Sequence, residues 1–147
     1  MKKIIILFVL NALCTLSFGQ TYQNVTLPSA SSITLEIASE LSSDELTEGQ
    51  SIKLAVKYSV VVEGATVIKA RAMATGKVIK IKEATFNFPA VVTIEVVNVQ
   101  TIDDRRIDIH GEAAFKGAFK GETATVKMGQ IIEAATDVSV SVRGIRL

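Results

Sequence analysis

The clearest strand pattern of the chain lies at residues 91–110, which read VVTIEVVNVQTIDDRRIDIH. Apolar side chains alternate with polar ones from residue 92 to 96, and alternate side chains of a strand point to opposite faces of a sheet. The apolar positions change parity after Asn98, which predicts a β-bulge there. The polar segment 103–105 is typical of a tight turn, and the alternation resumes at Ile107. The stretch therefore predicts an antiparallel hairpin with one buried face.

The same two-residue period recurs along most of the chain. Further strands are predicted at residues 33–37, 52–58, 60–62, 66–68, 79–82, 126–128 and 138–142. The Glu63-Gly64 pair favours a two-residue turn between two of these strands. Small side chains alternate from Ala70 to Ala74 and lead to Gly76, which favours a close approach of backbones or a sharp bend.

Helix signals are confined to one short segment. Residues 43–48 have Ser43 as an N-cap and Gly49 as a stop, and they predict one or two helical turns. Seven to nine short strands with turn residues between them are typical of an all-β fold. We therefore expect a single small β-barrel or β-sandwich of mostly antiparallel strands.

The first nineteen residues have the three parts of a secretory signal peptide. Lys2 and Lys3 give the charged start, and residues 4–10 form an apolar run that is too short to span a membrane. Ser17 and Gly19 supply the small side chains that signal peptidase needs. We expect cleavage after the second of them, which leaves residues 20–147.

Lipoprotein processing at Cys14 is the alternative, and it would leave a lipid anchor. It is disfavoured because Leu13 stands where that route needs a small residue. The expected layout is a signal peptide at 1–19, an extended lead-in at 20–32 and the barrel or sandwich domain at 33–147. An export signal of this kind predicts a location in the periplasm, or outside the cell, of a Gram-negative bacterium.

The charge balance argues against two classes of partner. The chain has 16 Lys and Arg against 15 Asp and Glu, a formal charge of +1. This balance gives no overall basic field for nucleic acid or for an anionic lipid surface. Strands that span an outer membrane need about ten alternating residues and aromatic girdles, whereas aromatic residues make up 5% of this chain. We expect no nucleic-acid partner and no membrane-spanning barrel.

Catalytic and metal-binding signals are weak. His110 is the single histidine, which excludes a multi-histidine metal site. A Ser-His-Asp arrangement would need Ser139 or Ser141 beside His110, and neither serine lies in a Gly-x-Ser-x-Gly motif. The carboxylates near residues 103–108 are interrupted by arginines and lack the spacing of a calcium loop. We predict no catalytic residue, no metal and no cofactor.

The most unusual segment is residues 111–121, which read GEAAFKGAFKG. It contains two Phe-Lys-Gly triplets, and phenylalanine can stack on a ligand while lysine pairs with a carboxylate. The predicted binding residues are Phe115, Lys116, Gly117, Phe119, Lys120 and Gly121. The alternative is a long hairpin loop whose two phenylalanines pack back over the open end of the barrel.

A longer stretch, residues 32–76, resembles a recurrent pattern of bacterial envelope proteins. Its elements are Ser-Ile-Thr-Leu-Glu at 32–36, Leu-Ser-Ser at 41–43, Glu-Gly at 48–49, the valines at 60–62, and Val-Ile-Lys-Ala at 67–70 leading to Gly76. The pattern is similar to that of small exported β-barrel proteins of unassigned function. More distantly, it resembles the carboxy-terminal β-barrel domain of the TrbI/VirB10 conjugation and type IV secretion proteins. The resemblance implies the fold and an envelope location, and it carries over no catalytic residue.

These patterns predict an exported, non-enzymatic envelope protein that acts in binding or assembly through residues 115–121. The expected partner is an envelope protein or a cell-wall glycan. Two alternatives stay open. One is a small hydrolase of a cell-wall polymer that uses His110 with a carboxylate. The other is self-assembly through an unpaired edge strand such as residues 136–142.

Overall fold

A computed structural model describes residues 19–146, and this part of the chain forms twelve β-strands and no helix. The strands are β1 (Thr21–Leu27), β2 (Ser32–Ile37), β3 (Leu41–Ser42), β4 (Ser51–Val56), β5 (Val60–Val62), β6 (Ala65–Ile68), β7 (Met73–Lys82), β8 (Val91–Gln100), β9 (Arg106–Lys116), β10 (Thr125–Val126), β11 (Ile131–Thr136) and β12 (Val140–Arg146). The all-β prediction is confirmed. The predicted signal peptide lies, except for Gly19, outside the described residues.

Six antiparallel strands close into a barrel in the order β11-β2-β4-β7-β8-β9, with β9 pairing back to β11. The alternation predicted for residues 92–96 is confirmed, because the apolar side chains of that run are buried inside the barrel. The predicted bulge is also confirmed. The β8–β9 ladder passes from Val96 to Asn98, so Val97 is skipped and exposed while Val99 returns to the interior.

A second bulge corrects the pattern predicted for residues 79–82. The β7–β8 ladder skips Ile79, which points outward, while Val78 and Ile81 face the core. The sequence pattern placed Ile79 and Ile81 on one face, and the extra residue reverses the parity between them. The close approach expected near Gly76 is confirmed, because an added Cβ there would lie 3.1 Å from the Ile52 and Leu54 side chains.

The other large sheet has four strands in the order β1-β12-β6-β5. The segment predicted as a lead-in is strand β1, which pairs with β12 along its full length and buries Val25 and Leu27. The folded domain therefore includes residues that the sequence pattern left outside it. The segment predicted as an unpaired edge at residues 136–142 is paired on one side, because Thr136 pairs with β9 and Val140–Val142 pair with β1; the ladder from β12 to β6 covers only Ile145 and Arg146. Self-assembly through this segment stays a prediction. The β5–β6 turn is confirmed, with φ of 50° at Glu63 and 78° at Gly64.

Buried polar contacts join this sheet to the barrel. The Thr136 hydroxyl donates to the Pro28 carbonyl at 2.7 Å and accepts from the Ser31 amide at 3.0 Å. On the β8–β9 turn, the Ile102 amide donates to the Val67 carbonyl at 2.9 Å. The two sheets share one hydrophobic core. The four-stranded sheet therefore covers the barrel end at which β2 and β9 begin.

The opposite end of the barrel is capped by the short pair β3–β10. Ser43 does not begin a helix, contrary to the prediction for residues 43–48. Its hydroxyl accepts from the Ala124 amide at 3.0 Å and its amide donates to the Ala124 carbonyl at 2.8 Å. The hydroxyl that would cap a helix is thus bonded to a different segment of the chain. The strand predicted at 126–128 ends at Val126, and β11, which the pattern did not predict, follows the turn at Gly129.

Candidate functional site

All four phenylalanines of residues 19–146 lie at the barrel end that β3 and β10 cap. Phe86 and Phe88 lie in the β7–β8 loop, Phe115 lies near the end of β9, and Phe119 lies in the loop that follows. We call residues 83–90 and 115–124 the phenylalanine end.

Three backbone hydrogen bonds join the two loops of the phenylalanine end. The Ala90 amide donates to the Glu122 carbonyl at 2.9 Å, and the Gly117 amide donates to the Ala90 carbonyl at 3.0 Å. The third bond runs from the Gly121 amide to the Phe88 carbonyl at 3.4 Å. The two loops are therefore parts of one surface.

The tip of the β7–β8 loop is a tight turn that presents Phe86 to solvent. Thr85 and Phe88 exchange backbone hydrogen bonds of 2.8 and 3.2 Å, which leaves Phe86 and Asn87 at the apex. The Phe86 side chain is 95% exposed. Sequence reasoning missed this residue, although two phenylalanines around an asparagine, followed by Pro89, mark an exposed aromatic turn.

The predicted binding residues Phe115 and Phe119 have different environments. Phe115 lies in β9 opposite Val92, is partly buried and packs against the core. Phe119 lies beyond the strand and is 70% exposed. Packing over the barrel end, which was the alternative for both phenylalanines, therefore holds for Phe115 alone.

The glycines of the predicted segment are mostly sites of close packing. Gly111 lies within β9, where an added Cβ would overlap the Glu133 carbonyl and Ala134 of β11. At Gly117 an added Cβ would lie 2.7 Å from the Glu122 carbonyl oxygen. Gly121 has a φ of 78°, the left-handed conformation that favours glycine. Strand pairing and these contacts restrict the backbone conformation of the segment.

Two lysines flank the aromatic loops on the outer face of the barrel. Lys82, Val91 and Lys116 lie side by side across β7, β8 and β9, which places the two lysine backbones about 10 Å apart. A pocket of about 500 Å³ adjoins them, lined by Lys82, Glu83, Thr85, Phe88, Pro89, Val91 and Lys116. Within the described residues neither lysine forms an ion pair. Lys120, also predicted as a binding residue, is exposed in the neighbouring loop.

Acidic side chains at this barrel end lie both beside the lysines and in the β3–β4 loop: Glu83 lines the lysine pocket, and Glu122 accepts a hydrogen bond from the Phe119 amide at 3.3 Å. Asp44, Glu45 and Glu48 are exposed in the β3–β4 loop, and Asp44 and Glu48 line a second pocket of about 630 Å³. The Glu48 carboxylate accepts a hydrogen bond from the Ile81 amide at 2.8 Å. Lysines therefore outnumber carboxylates only slightly around the aromatic loops, with Lys82, Lys116 and Lys120 against Glu83 and Glu122.

Of the residues in the hydrolase hypothesis, the structure brings His110 beside the Glu95 carboxylate but brings neither serine to it. His110 lies on the outer face of β9, with its Nδ1 3.5 Å from the Glu95 carboxylate, and its side chain is 63% exposed. The Ser139 hydroxyl, just before β12, accepts a hydrogen bond from the Ser29 amide at 3.2 Å. Ser141 lies in β12, which is not a barrel strand. Neither serine has His110 as a hydrogen-bond partner in the part of the chain that the structure describes.

The acidic turn between β8 and β9 is held by hydrogen bonds within the turn and to β12. Asp103 accepts hydrogen bonds from the Thr101 hydroxyl, from Arg105 Nε at 2.9 Å and from the Arg143 amide at 3.4 Å. Partial burial raises the pKa of Asp103, but these hydrogen bonds and the Arg105 charge outweigh it and hold the pKa below its ordinary value. Across residues 19–146 no group of three or more His, Cys, Asp or Glu side chains could hold a metal ion.

Between residues 19 and 146, no helix has the length and apolar character needed to cross a membrane. No protein-family model matches the chain, and no curated protein matches its sequence significantly.

Proposed function

We propose that this chain is an exported, non-enzymatic binding module of the bacterial cell envelope that contacts its partner through the phenylalanine end. The observation that carries the proposal is the exposure of three phenylalanine rings in two adjoining loops. Phe86, Phe88 and Phe119 are 95%, 69% and 70% exposed. Removing such a ring from water stabilises a complex by about 1.5–3 kcal/mol, and clustered exposed apolar side chains mark interaction sites.

The backbone beneath these rings favours binding. The cross-loop hydrogen bonds of Ala90, Gly117 and Gly121 fix the two loops against each other, and Phe115 anchors the end of β9 to the core. A surface that is ordered before binding loses little conformational entropy when a partner arrives. More of the free energy of burying the exposed rings is then available for association.

The envelope location is supported by the amino-terminal sequence. The charged start, the short apolar run and the small side chains before Gln20 are the features of an export signal. The resemblance of residues 32–76 to envelope barrel proteins points to the same location. The expected partner is an envelope protein or a cell-wall glycan.

Sedimentation with an envelope fraction tests the proposal. The exported protein is mixed with envelope fragments from its native host, and the bound share is measured after centrifugation. We expect the Phe86→Ser, Phe119→Ser double variant to lose most of its binding and to keep its thermal unfolding temperature, because both rings are exposed.

The matched control replaces the two exposed tyrosines, which lie away from the phenylalanine end. Tyr22 and Tyr58 are 59% and 62% exposed, and the Tyr22→Ser, Tyr58→Ser variant should bind like the parent. Equal binding by the phenylalanine variant, with its fold intact by circular dichroism, would refute the proposal.

A further inference from the structure

We infer that the phenylalanine end docks on an anionic phospholipid bilayer, with Phe86, Phe88 and Phe119 entering the interface and Lys82 and Lys116 contacting headgroup phosphates. The inference rests on the proposed function, because it concerns the same surface, and it puts a lipid bilayer in place of the expected protein or glycan. It extends that function by giving the partner a definite chemistry.

The shape of the aromatic loops favours a bilayer over a folded partner. Phe86 stands at the apex of a two-residue turn and is almost fully exposed, so it projects from the surface. A protein partner would need a complementary pocket for it within an interface of about 800 Å² on each side. The interfacial region of a bilayer accepts a projecting apolar ring without a shaped pocket, and phenylalanine is among the residues that enter it.

The lysines beside the rings outnumber the carboxylates there, which leaves a small basic excess to face a surface of phosphates. The backbones of Lys82 and Lys116 lie about 10 Å apart on the two strands that flank β8, with the apolar Val91 between them. The pocket of about 500 Å³ that they line is large enough for one headgroup. Long lysine stems can lie along apolar surface while the ammonium groups reach the phosphates. The Glu83 carboxylate lines the same pocket and opposes this attraction, and the acidic β3–β4 loop would be repelled from the phosphates.

The same pocket is poorly suited to a neutral glycan. Thr85 provides its one uncharged side-chain hydroxyl, and that oxygen already accepts a hydrogen bond from the Phe88 amide at 3.2 Å. Sugar recognition relies on several well-placed polar groups beside an aromatic platform. Apart from the Glu83 carboxylate and Thr85, the lining is cationic and apolar, which agrees better with a phosphate above acyl chains.

Vesicle sedimentation without any other protein tests the inference. The exported protein is mixed with vesicles of phosphatidylcholine alone and with vesicles of phosphatidylcholine and phosphatidylglycerol in equal parts. We expect binding to the anionic vesicles that falls as salt rises, and at least about tenfold weaker binding to the neutral ones. The Lys82→Gln, Lys116→Gln variant should bind anionic vesicles roughly thirtyfold more weakly.

The control is Lys53→Gln with Lys69→Gln, which makes the same change in net charge away from the phenylalanine end. It should retain most of the vesicle binding. An equal loss in both lysine variants, or equal binding to neutral vesicles, would overturn the assigned headgroup contact. No binding to anionic vesicles would overturn the lipid inference. The proposed function would then still stand if envelope binding remained sensitive to Phe86→Ser with Phe119→Ser.

Discussion

Thr136→Val is expected to weaken the junction between the barrel and the four-stranded sheet. Thr136 is 3% exposed, and its hydroxyl both donates to the Pro28 carbonyl and accepts from the Ser31 amide. Valine has nearly the same shape, so the substitution removes the two hydrogen bonds while the packing is kept. The junction is the place where the β1–β2 connection meets the end of β11.

The expected loss of stability follows from the hydrogen bonds that the Pro28 carbonyl and the Ser31 amide keep after Thr136→Val. The Pro28 carbonyl retains a hydrogen bond from the Ser31 hydroxyl at 2.6 Å, whereas the Ser31 amide loses its acceptor. One lost bond costs about 1 kcal/mol, and a poorly hydrated donor without a partner costs about 1–3 kcal/mol. We therefore expect a loss of about 2–3 kcal/mol in the free energy of unfolding, which lowers Tm by roughly 10 °C in a domain of this size.

Urea unfolding followed by circular dichroism measures the change, with Thr136→Ser as the control. Serine keeps the hydroxyl and loses one methyl group, which costs about 1 kcal/mol. The valine variant should therefore be less stable than the serine variant, with the same dependence on urea concentration. A valine variant as stable as the serine variant would refute the role assigned to the hydroxyl.

Three further predictions concern the packing and charge of the domain. Gly111→Ala should lower stability by about 1–3 kcal/mol in urea unfolding, because its Cβ would overlap the Glu133 carbonyl, and an unchanged midpoint would contradict that contact. Phe115→Ser should lower Tm because that ring packs on the core, whereas Phe119→Ser should leave it nearly unchanged; equal shifts would contradict the difference between the two rings. The lowered pKa of Asp103 gives stability that is present above about pH 4 and lost as the pH falls through the folded-state pKa. Asp103→Asn should therefore be less stable than the parent at pH 7 and approach it in acid, and a stability difference independent of pH would contradict this.

Strand periodicity predicted the fold class because the barrel wall has one buried and one solvated face. It predicted β8 well, since its inward residues alternate over a long run, but it predicted only residues 106–110 of β9, which continues to Lys116 through a segment that was assigned to a loop. It failed for β11, in which Ile131 and Ile132 are adjacent and the remaining inward residues are small. It also failed for β1, which has two buried side chains and is held by a partner from the far end of the chain.

The sequence predicted only part of the candidate site, because the rest depends on contacts between distant segments. Phe119 lies in an unusual local sequence, so the sequence alone could single it out. Phe86 joins it only because backbone hydrogen bonds bring the β7–β8 loop against the β9–β10 loop. Lys82 and Lys116 are aligned across β8 by the strand register, including the bulge at Ile79, and local sequence patterns do not specify that register. The net charge of a sequence does not specify how its charged side chains are distributed over the folded surface.

A dye at the tip of the phenylalanine end shows directly whether this surface contacts the envelope. Cys14 is the single cysteine and lies in the predicted signal peptide, so an introduced cysteine can carry the only dye on the processed chain. Asn87→Cys places an environment-sensitive dye at the tip beside Phe86, and Asp137→Cys places it at the opposite barrel end; both sites are exposed. On addition of envelope fragments, we predict a blue shift for the dye at position 87 and none at position 137. A shift at position 137 with none at position 87 would contradict the account.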